Sequence, residues 1–251
     1  MKFVMLASLG LIFSIFTFTM PQPTNADVVG IWLFDEDKGK VVKDASGNGH
    51  DGEIVGKVDW AAGKFGASLK FDGGNVKIPH QDNMNLEQFT ITAWVKVPAV
   101  VEPYQMIVGK EAWPDRNYSM WIRPGVMTFG FTTPGAAQDI QVGSKEVTDG
   151  QWHFVTGVYD KKSLMPYVDG ALLNPQGAAV KPATNQAPLM IGAQPPNGGG
   201  PLKGQIDEVA VYNTALKEKE IKSIMEGLAE QLKAVEPGGK LATMWARIKA
   251  R

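Results

Sequence analysis

Phe89-Thr90-Ile91-Thr92-Ala93-Trp94-Val95-Lys96-Val97 sets Phe89, Ile91, Ala93, Val95 and Val97 on one side of an extended chain, with Thr90, Thr92, Trp94 and Lys96 on the other. Successive Cβ atoms of a strand point to opposite faces, so this period of two reads as a β-strand whose apolar side lines a core. Working outward, short apolar or alternating runs recur at 28–34, 67–71, 76–79, 106–110, 118–123, 127–131, 152–159, 164–168, 189–191 and 206–212. Asp72-Gly73-Gly74-Asn75, Pro124-Gly125, Asp149-Gly150 and Asp169-Gly170 separate them. Glycine supplies positive φ and Asp or Asn tolerates it, so these are turns, and Asp169-Gly170 is the clearest hairpin among them. Many short strands cut by such turns predict an all-β chain of two packed antiparallel sheets.

After Asn213 the period changes. Leu216, Ile221, Ile224, Met225, Leu228 and Leu232 recur at helical spacing among Lys and Glu, which predicts one amphipathic helix over about 216–233, closed by Pro237-Gly238-Gly239. A short basic amphipathic tail, 238–251, carries Trp245, Arg247, Lys249 and Arg251. At the other end, Lys2 precedes an uncharged apolar run over 3–20, then Pro21, Pro23 and Thr24-Asn25-Ala26. This is the pattern of a secretory signal, 1–26, cleaved after Ala26, the alternative being an uncleaved membrane anchor. The expected protein is a domain over 27–237, secreted, periplasmic or on the cell surface, with no stable membrane span after cleavage.

The formal net charge of -1 is too small to favour nucleic acid or anionic lipid as partner. Cysteine is absent, which excludes disulfides, thiolate metal sites and a cysteine nucleophile.

Separated motifs then fall in a familiar order. They are Gly30-Ile31-Trp32-Leu33-Phe34-Asp35-Glu36, 44–52 (DASGNGHDG), 68–73 (SLKFDG), the 89–95 strand, 151–160 (QWHFVTGVYD), 167–170 (YVDG) and 204–213 (GQIDEVAVYN). Together they resemble the laminin-G-like, concanavalin A-like jelly-roll family of exported bacterial proteins. The resemblance implies a two-sheet antiparallel jelly-roll sandwich, often with a carbohydrate-binding or adhesive role, though fold alone does not fix a ligand. Lys217 departs from the family pattern, which more often has Ser or Thr capping the final helix.

Asp44, Ser46 and Asn48, spaced by two and followed by Gly49, reproduce the first half of a calcium loop in which alternate oxygens converge and His50 offers its backbone carbonyl. Val55 occupies the place of the closing carboxylate, so the loop is no EF-hand and another segment must complete any site. The resemblance implies Asp207, on the last strand, as that ligand, with Asp35 in the same neighbourhood and a structural Ca²⁺ as cofactor. The alternative is that 46–49 is only a tight turn and that Asp207 only holds a loop.

Between two strands, Glu111-Ala112-Trp113-Pro114-Asp115-Arg116-Asn117-Tyr118 offers an aromatic face for sugar C–H groups and polar groups for hydroxyls. Trp113, Arg116 and Tyr118 are the candidate ligand-binding residues, the alternative being that Trp113 is a packed loop anchor and Tyr118 belongs to the sandwich, as Trp121 does. Hydrolases of this family place carboxylates as Glu-x-Asp-x-Glu on one strand, and no such pattern occurs here. His50, His80 and His153 are isolated, without a nucleophile or zinc motif beside them. The expectation is therefore a non-enzymatic binding module for a glycan or a surface component. A structural or protein-binding envelope domain stands as the alternative.

Overall fold

The computed structural model describes residues 28–98, 104–136 and 139–234. The expected signal segment and the basic tail lie outside the described residues.

The strands are β1 (Val28–Trp32), β2 (Val41–Val42), β3 (Gly52–Val55), β4 (Val58–Ala62), β5 (Ala67–Asp72), β6 (Asn75–Ile78), β7 (Phe89–Lys96), β8 (Gln105–Ala112) and β9 (Asp115–Ile122). They continue with β10 (Val126–Thr132), β11 (Asp139–Glu146), β12 (Trp152–Tyr159), β13 (Ser163–Val168), β14 (Ala171–Leu172), β15 (Gln176–Gly177), β16 (Leu189–Ile191) and β17 (Lys203–Tyr212). Two helices close the described chain, α1 (Glu218–Ile224) and α2 (Leu228–Ala234). One sheet runs β14-β13-β12-β7-β17-β5-β4, with β1 on β17 and β15 on β13; the other runs β11-β10-β9-β8-β16-β6-β3-β2. All the pairings are antiparallel. The protein is thus an all-β two-sheet sandwich of the jelly-roll kind.

β7 behaves as its alternation predicts. Phe89, Ile91, Ala93, Val95 and Val97 belong to the core between the sheets, together with Phe71, Tyr118, Phe129, Phe131 and Tyr159. Its other face carries Trp94 into a second cluster with Phe154, Tyr167, Tyr212, Leu216, Ile221, Ile224 and Leu228. The helices therefore cover part of the outer face of the first sheet, and burying this apolar stripe is what holds such short helices in place. The Asp169-Gly170 hairpin joins β13 to β14, with φ of 53° and 73° at its two turn residues, the geometry of a type I′ turn.

One expectation changes. The single helix over 216–233 is two helices, because Gly227 adopts φ 124° between them, a conformation glycine takes without the Cβ clash of other residues. At the start of α1, Lys217 has no acceptor to offer, but Glu220 turns back and accepts the Lys217 backbone N–H at 2.7 Å, so half of a capping box remains.

β17 is the pivot of the first sheet. Its first half pairs with β5, its second half with β1, and β7 lies along its other edge. The register against β7 shifts between Asp207 and Ala210, and Glu208 in this bulge has φ 45°. A bulge turns side chains out of the regular alternation, and here it buries two adjacent carboxyls, Asp207 and Glu208.

Candidate functional site

The expected 111–118 loop is instead the tip of the β8–β9 hairpin. Ala112 pairs with Asp115, so only Trp113 and Pro114 project beyond the ladder. Trp113 is 57% exposed, a large apolar surface to leave in water. Beside it lies a cleft of about 330 Å³ lined by Ala112, Trp113, Gln194, Pro195, Pro196, Asn197 and Gly199. The Gly- and Pro-rich 194–201 segment supplies its far wall. This turn is closed by Gln194 N–H donating to the Gly199 carbonyl at 2.7 Å.

Arg116 and Tyr118 take other roles. Arg116 is buried, its guanidinium donating to Glu111 and to Asp139 and standing 4.8 Å over the Trp121 ring. Glu111 also accepts from Ser119 Oγ at 2.5 Å and from Gln194 Nε2 at 2.5 Å. Burial, the largest influence, pushes the Asp139 carboxyl up, and the Arg116 charge pulls it back. The network therefore forms a rigid support that fixes Gln194, a wall of the cleft, to the hairpin carrying Trp113. Charged hydrogen bonds in a buried setting are well suited to that task. Tyr118 is corrected as a contact residue: it is fully buried and packs on Phe89 at 5.4 Å between ring centres. Burial pushes its phenol far above the ordinary value. Trp121 is buried too, as expected, although it lies on the Arg116 side and packs against Tyr104 at 6.2 Å.

The residues proposed for calcium do not gather into one set. Asp44 Oδ1 accepts from the Ile31 backbone N–H at 3.1 Å, the Ser46 N–H at 2.9 Å and the Ser46 hydroxyl at 2.6 Å, and its Oδ2 accepts from the His50 N–H at 3.0 Å. Asn48 Nδ2 donates to the Val28 and Val29 carbonyls. The His50 carbonyl accepts from the Trp32 indole at 2.8 Å. These hydrogen bonds fix the turn against β1, as an Asx turn does.

Asp35 and Asp207 both reach the turn before β5. Asp207 Oδ2 accepts from the Phe65 N–H at 2.9 Å and Asp35 Oδ1 from the Ala67 N–H at 3.1 Å. Asp207 is fully buried, and its Oδ1 has no hydrogen-bond partner. Burial first, and the neighbouring Glu208 charge after the Phe65 hydrogen bond, move its carboxyl up to about 7. Glu208 is likewise pushed up to about 7 by burial while its Oε2 accepts from the Leu228 N–H at 2.9 Å. Among the described residues, no three His, Asp or Glu side chains form a metal-holding group.

His153 sits on β12 between two carboxylates, Nδ1 2.9 Å from Asp169 and Nε2 3.0 Å from Asp149. It clasps the Asp149-Gly150 turn to the Asp169-Gly170 hairpin, a tie between turns that accounts for this histidine without chemistry.

The fold is a two-sheet jelly-roll sandwich with Trp113 exposed at one hairpin tip. The chain belongs to the concanavalin A-like lectin/glucanases superfamily, whose model matches residues 71–222. Comparison with curated proteins finds no match. Among solved structures, the binding domain of Paraclostridial Mosquitocidal Protein 1 superposes with a TM-score of 0.67 at 15% identity, covering 80% of this chain and 52% of that one. Domain 4 of AbnA, a GH43 extracellular arabinanase from Geobacillus stearothermophilus, in complex with arabinotriose, gives 0.61 at 20% identity, with 79% and 98% covered. The binding domain of Botulinum neurotoxin DC in complex with rat synaptotagmin II gives 0.61 at 14% identity, with 86% and 53% covered. The chain thus spans about half the length of the toxin domains it matches. The two toxin structures are binding domains by name, and among the described residues no helix is long and apolar enough to cross a membrane.

Proposed function

We propose that this chain is an exported, non-catalytic module that binds a glycan in the cleft between the Trp113 tip and the 194–199 turn. The observation that carries the reading is an exposed indole facing the cleft together with two carboxamides, Gln194 and Asn197. An aromatic face stacks on sugar C–H groups, amides bind hydroxyls, and a cleft of about 330 Å³ sits at the small end of ligand sites. None of its lining residues is charged, which favours an uncharged sugar. The co-crystallised arabinotriose of the arabinanase domain makes short arabinan a sensible first probe. Against catalysis, Glu111 and Asp139 share one guanidinium, so neither carboxylate is free for the acid and nucleophile roles of a glycosidase.

The reading includes a structural calcium ion at Asp207. Its buried, unpartnered Oδ1 fits a cation, whereas Asp44, Asn48 and His50 already make hydrogen bonds that hold their turn. Asp207 and Asp35 would hold it with backbone carbonyls, and the ion would supply charge compensation that ties β17 to the turn before β5.

The test is retention on immobilised neutral polysaccharides, arabinan included, in calcium and in EGTA, with product analysis of the same incubations. Selective retention of the wild type, lost in Trp113→Ala at unchanged melting temperature and without released sugar, is the expected result. No retention of a folded protein on any neutral glycan, or release of soluble products, overturns the reading.

A further inference from the structure

A second groove lies on the outer face of the first sheet, opposite the side that faces the core. Its position follows from register. Asp59 on β4 pairs with Lys70 on β5, Lys70 with Gln205 on β17, Gln205 with Lys96 on β7, and Lys96 with Trp152 on β12. Leu69, Phe71, Val95 and Ile206, the sequence neighbours of these residues, are core. The row Lys70, Gln205, Lys96 therefore points outward, with half-buried Trp152 at its end. Lys203 joins it one pair further along, opposite Asp72. Two residues along the strands, at Trp94 and Phe154, the helix cluster covers the sheet; here it is open, and the surface forms a concavity of about 460 Å³ that includes Lys70, Lys96, Lys203 and Gln205.

The charges are unevenly matched. Asp72 is paired with Lys57 at 2.9 Å, which brings a further cation to the rim. Among the described residues, Lys70 and Lys96 have no carboxylate within ion-pair distance. Four lysines thus stand beside two carboxylates, Asp59 and Asp72. Lys70 and Lys96 lie two strands apart, which is about 10 Å at the usual strand spacing. Such an interval suits a chain of repeating anions lying across the strands, with Gln205 between the cations and the Trp152 ring at the end.

We propose that this groove is a second binding site, for a polyanionic polysaccharide carrying carboxylate or sulfate groups. It is independent of the uncharged cleft at Trp113, and because lysines at an open surface act through screened electrostatics, binding there is strongest at low salt.

Affinity electrophoresis and equilibrium binding of the full chain to polygalacturonate, heparin and a neutral galactan separate the possibilities. Polygalacturonate tests carboxylate, heparin tests sulfate, and duplex DNA and anionic vesicles serve as competing polyanions. The expected result is salt-sensitive binding to one or both acidic polysaccharides, weakened at least about tenfold in Lys70→Glu/Lys96→Glu and less in Lys70→Gln/Lys96→Gln, but unchanged in Trp113→Ala. The Gln pair keeps the outcome readable should the Glu pair melt early. Equal affinity of the charge-reversed and wild-type proteins, tighter binding to DNA or vesicles, or no binding to either acidic polysaccharide at low salt overturns the proposal. Loss of neutral-glycan binding in Trp113→Ala bears only on the first site.

Discussion

Asp207 and Glu208 are adjacent buried carboxyls at the β17 bulge, each moved up to about 7, chiefly by burial. In the unfolded chain they titrate near their ordinary values of 3.8 and 4.5, so the folded state holds their protons more tightly. That contribution to stability is complete below about pH 4 and is lost as pH rises through about 7. In EGTA, thermal melts should therefore show these two groups lowering the melting temperature between about pH 5 and pH 8, with a shallower fall in Asp207→Asn. Calcium added at the upper pH should restore the wild type and leave Asp207→Asn unmoved; equal responses of the two would remove Asp207 as a ligand. Tyr118→Phe should be neutral or slightly stabilising, because the Tyr118 hydroxyl is buried without a partner. Arg116→Ala should cost about 3–5 kcal/mol, since it strands Glu111 and Asp139; urea unfolding measures both. At this scale the sequence singled out Trp113, which is exposed at the hairpin tip, and Asp207, which is buried, whereas Tyr118, a candidate contact residue, is buried in the core. The partners of Arg116 were hidden because Asp139 is 23 residues away and because Gln194 is 83 residues from Glu111, and such long-range pairing leaves no local spacing to read.

Elements with one clean face were legible and polar ones were not. β7 declares both its faces by alternation, and β16 (Leu189–Ile191) falls where its apolar run is. β11, Asp-Ile-Gln-Val-Gly-Ser-Lys-Glu, is a sheet-edge strand with mixed exposure; one side meets water and its period is diluted by glycine and charge. The two-helix ending eluded the helical period because that period continues through Gly227, whose φ of 124° breaks the backbone. Close packing gives an element-level prediction. An added Cβ at Gly157 on β12 would stand 2.6 Å from the Phe129 ring of the facing sheet, so Gly157→Ala should destabilise by about 1–3 kcal/mol. A wild-type melting temperature in that variant would mean the sheets are packed less tightly than described. Glu208→Ala should free the start of α2 from the bulge, which hydrogen exchange would register as faster exchange of the Leu228 and Ala229 amides than in wild type.

In the whole molecule, the two sheets divide the work. The first sheet carries the helices on one part of its outer face and the lysine groove on another, while the second sheet holds the hairpin whose tip presents Trp113. Family and architecture could be read from motif order because each motif serves the shared core. The cleft depends on where two loops end in space, which motif order does not specify. Trp113 reports on that cleft: Trp32, Trp94 and Trp121 are buried, Trp60 and Trp152 are half-buried, and Trp113 is 57% exposed. The decisive measurement is intrinsic fluorescence of wild type and Trp113→Phe titrated with short neutral oligosaccharides. A saturable change in the wild type, absent together with binding in Trp113→Phe, is what the account predicts. Saturable binding of equal affinity in both proteins would contradict it, placing the sugar away from the hairpin tip.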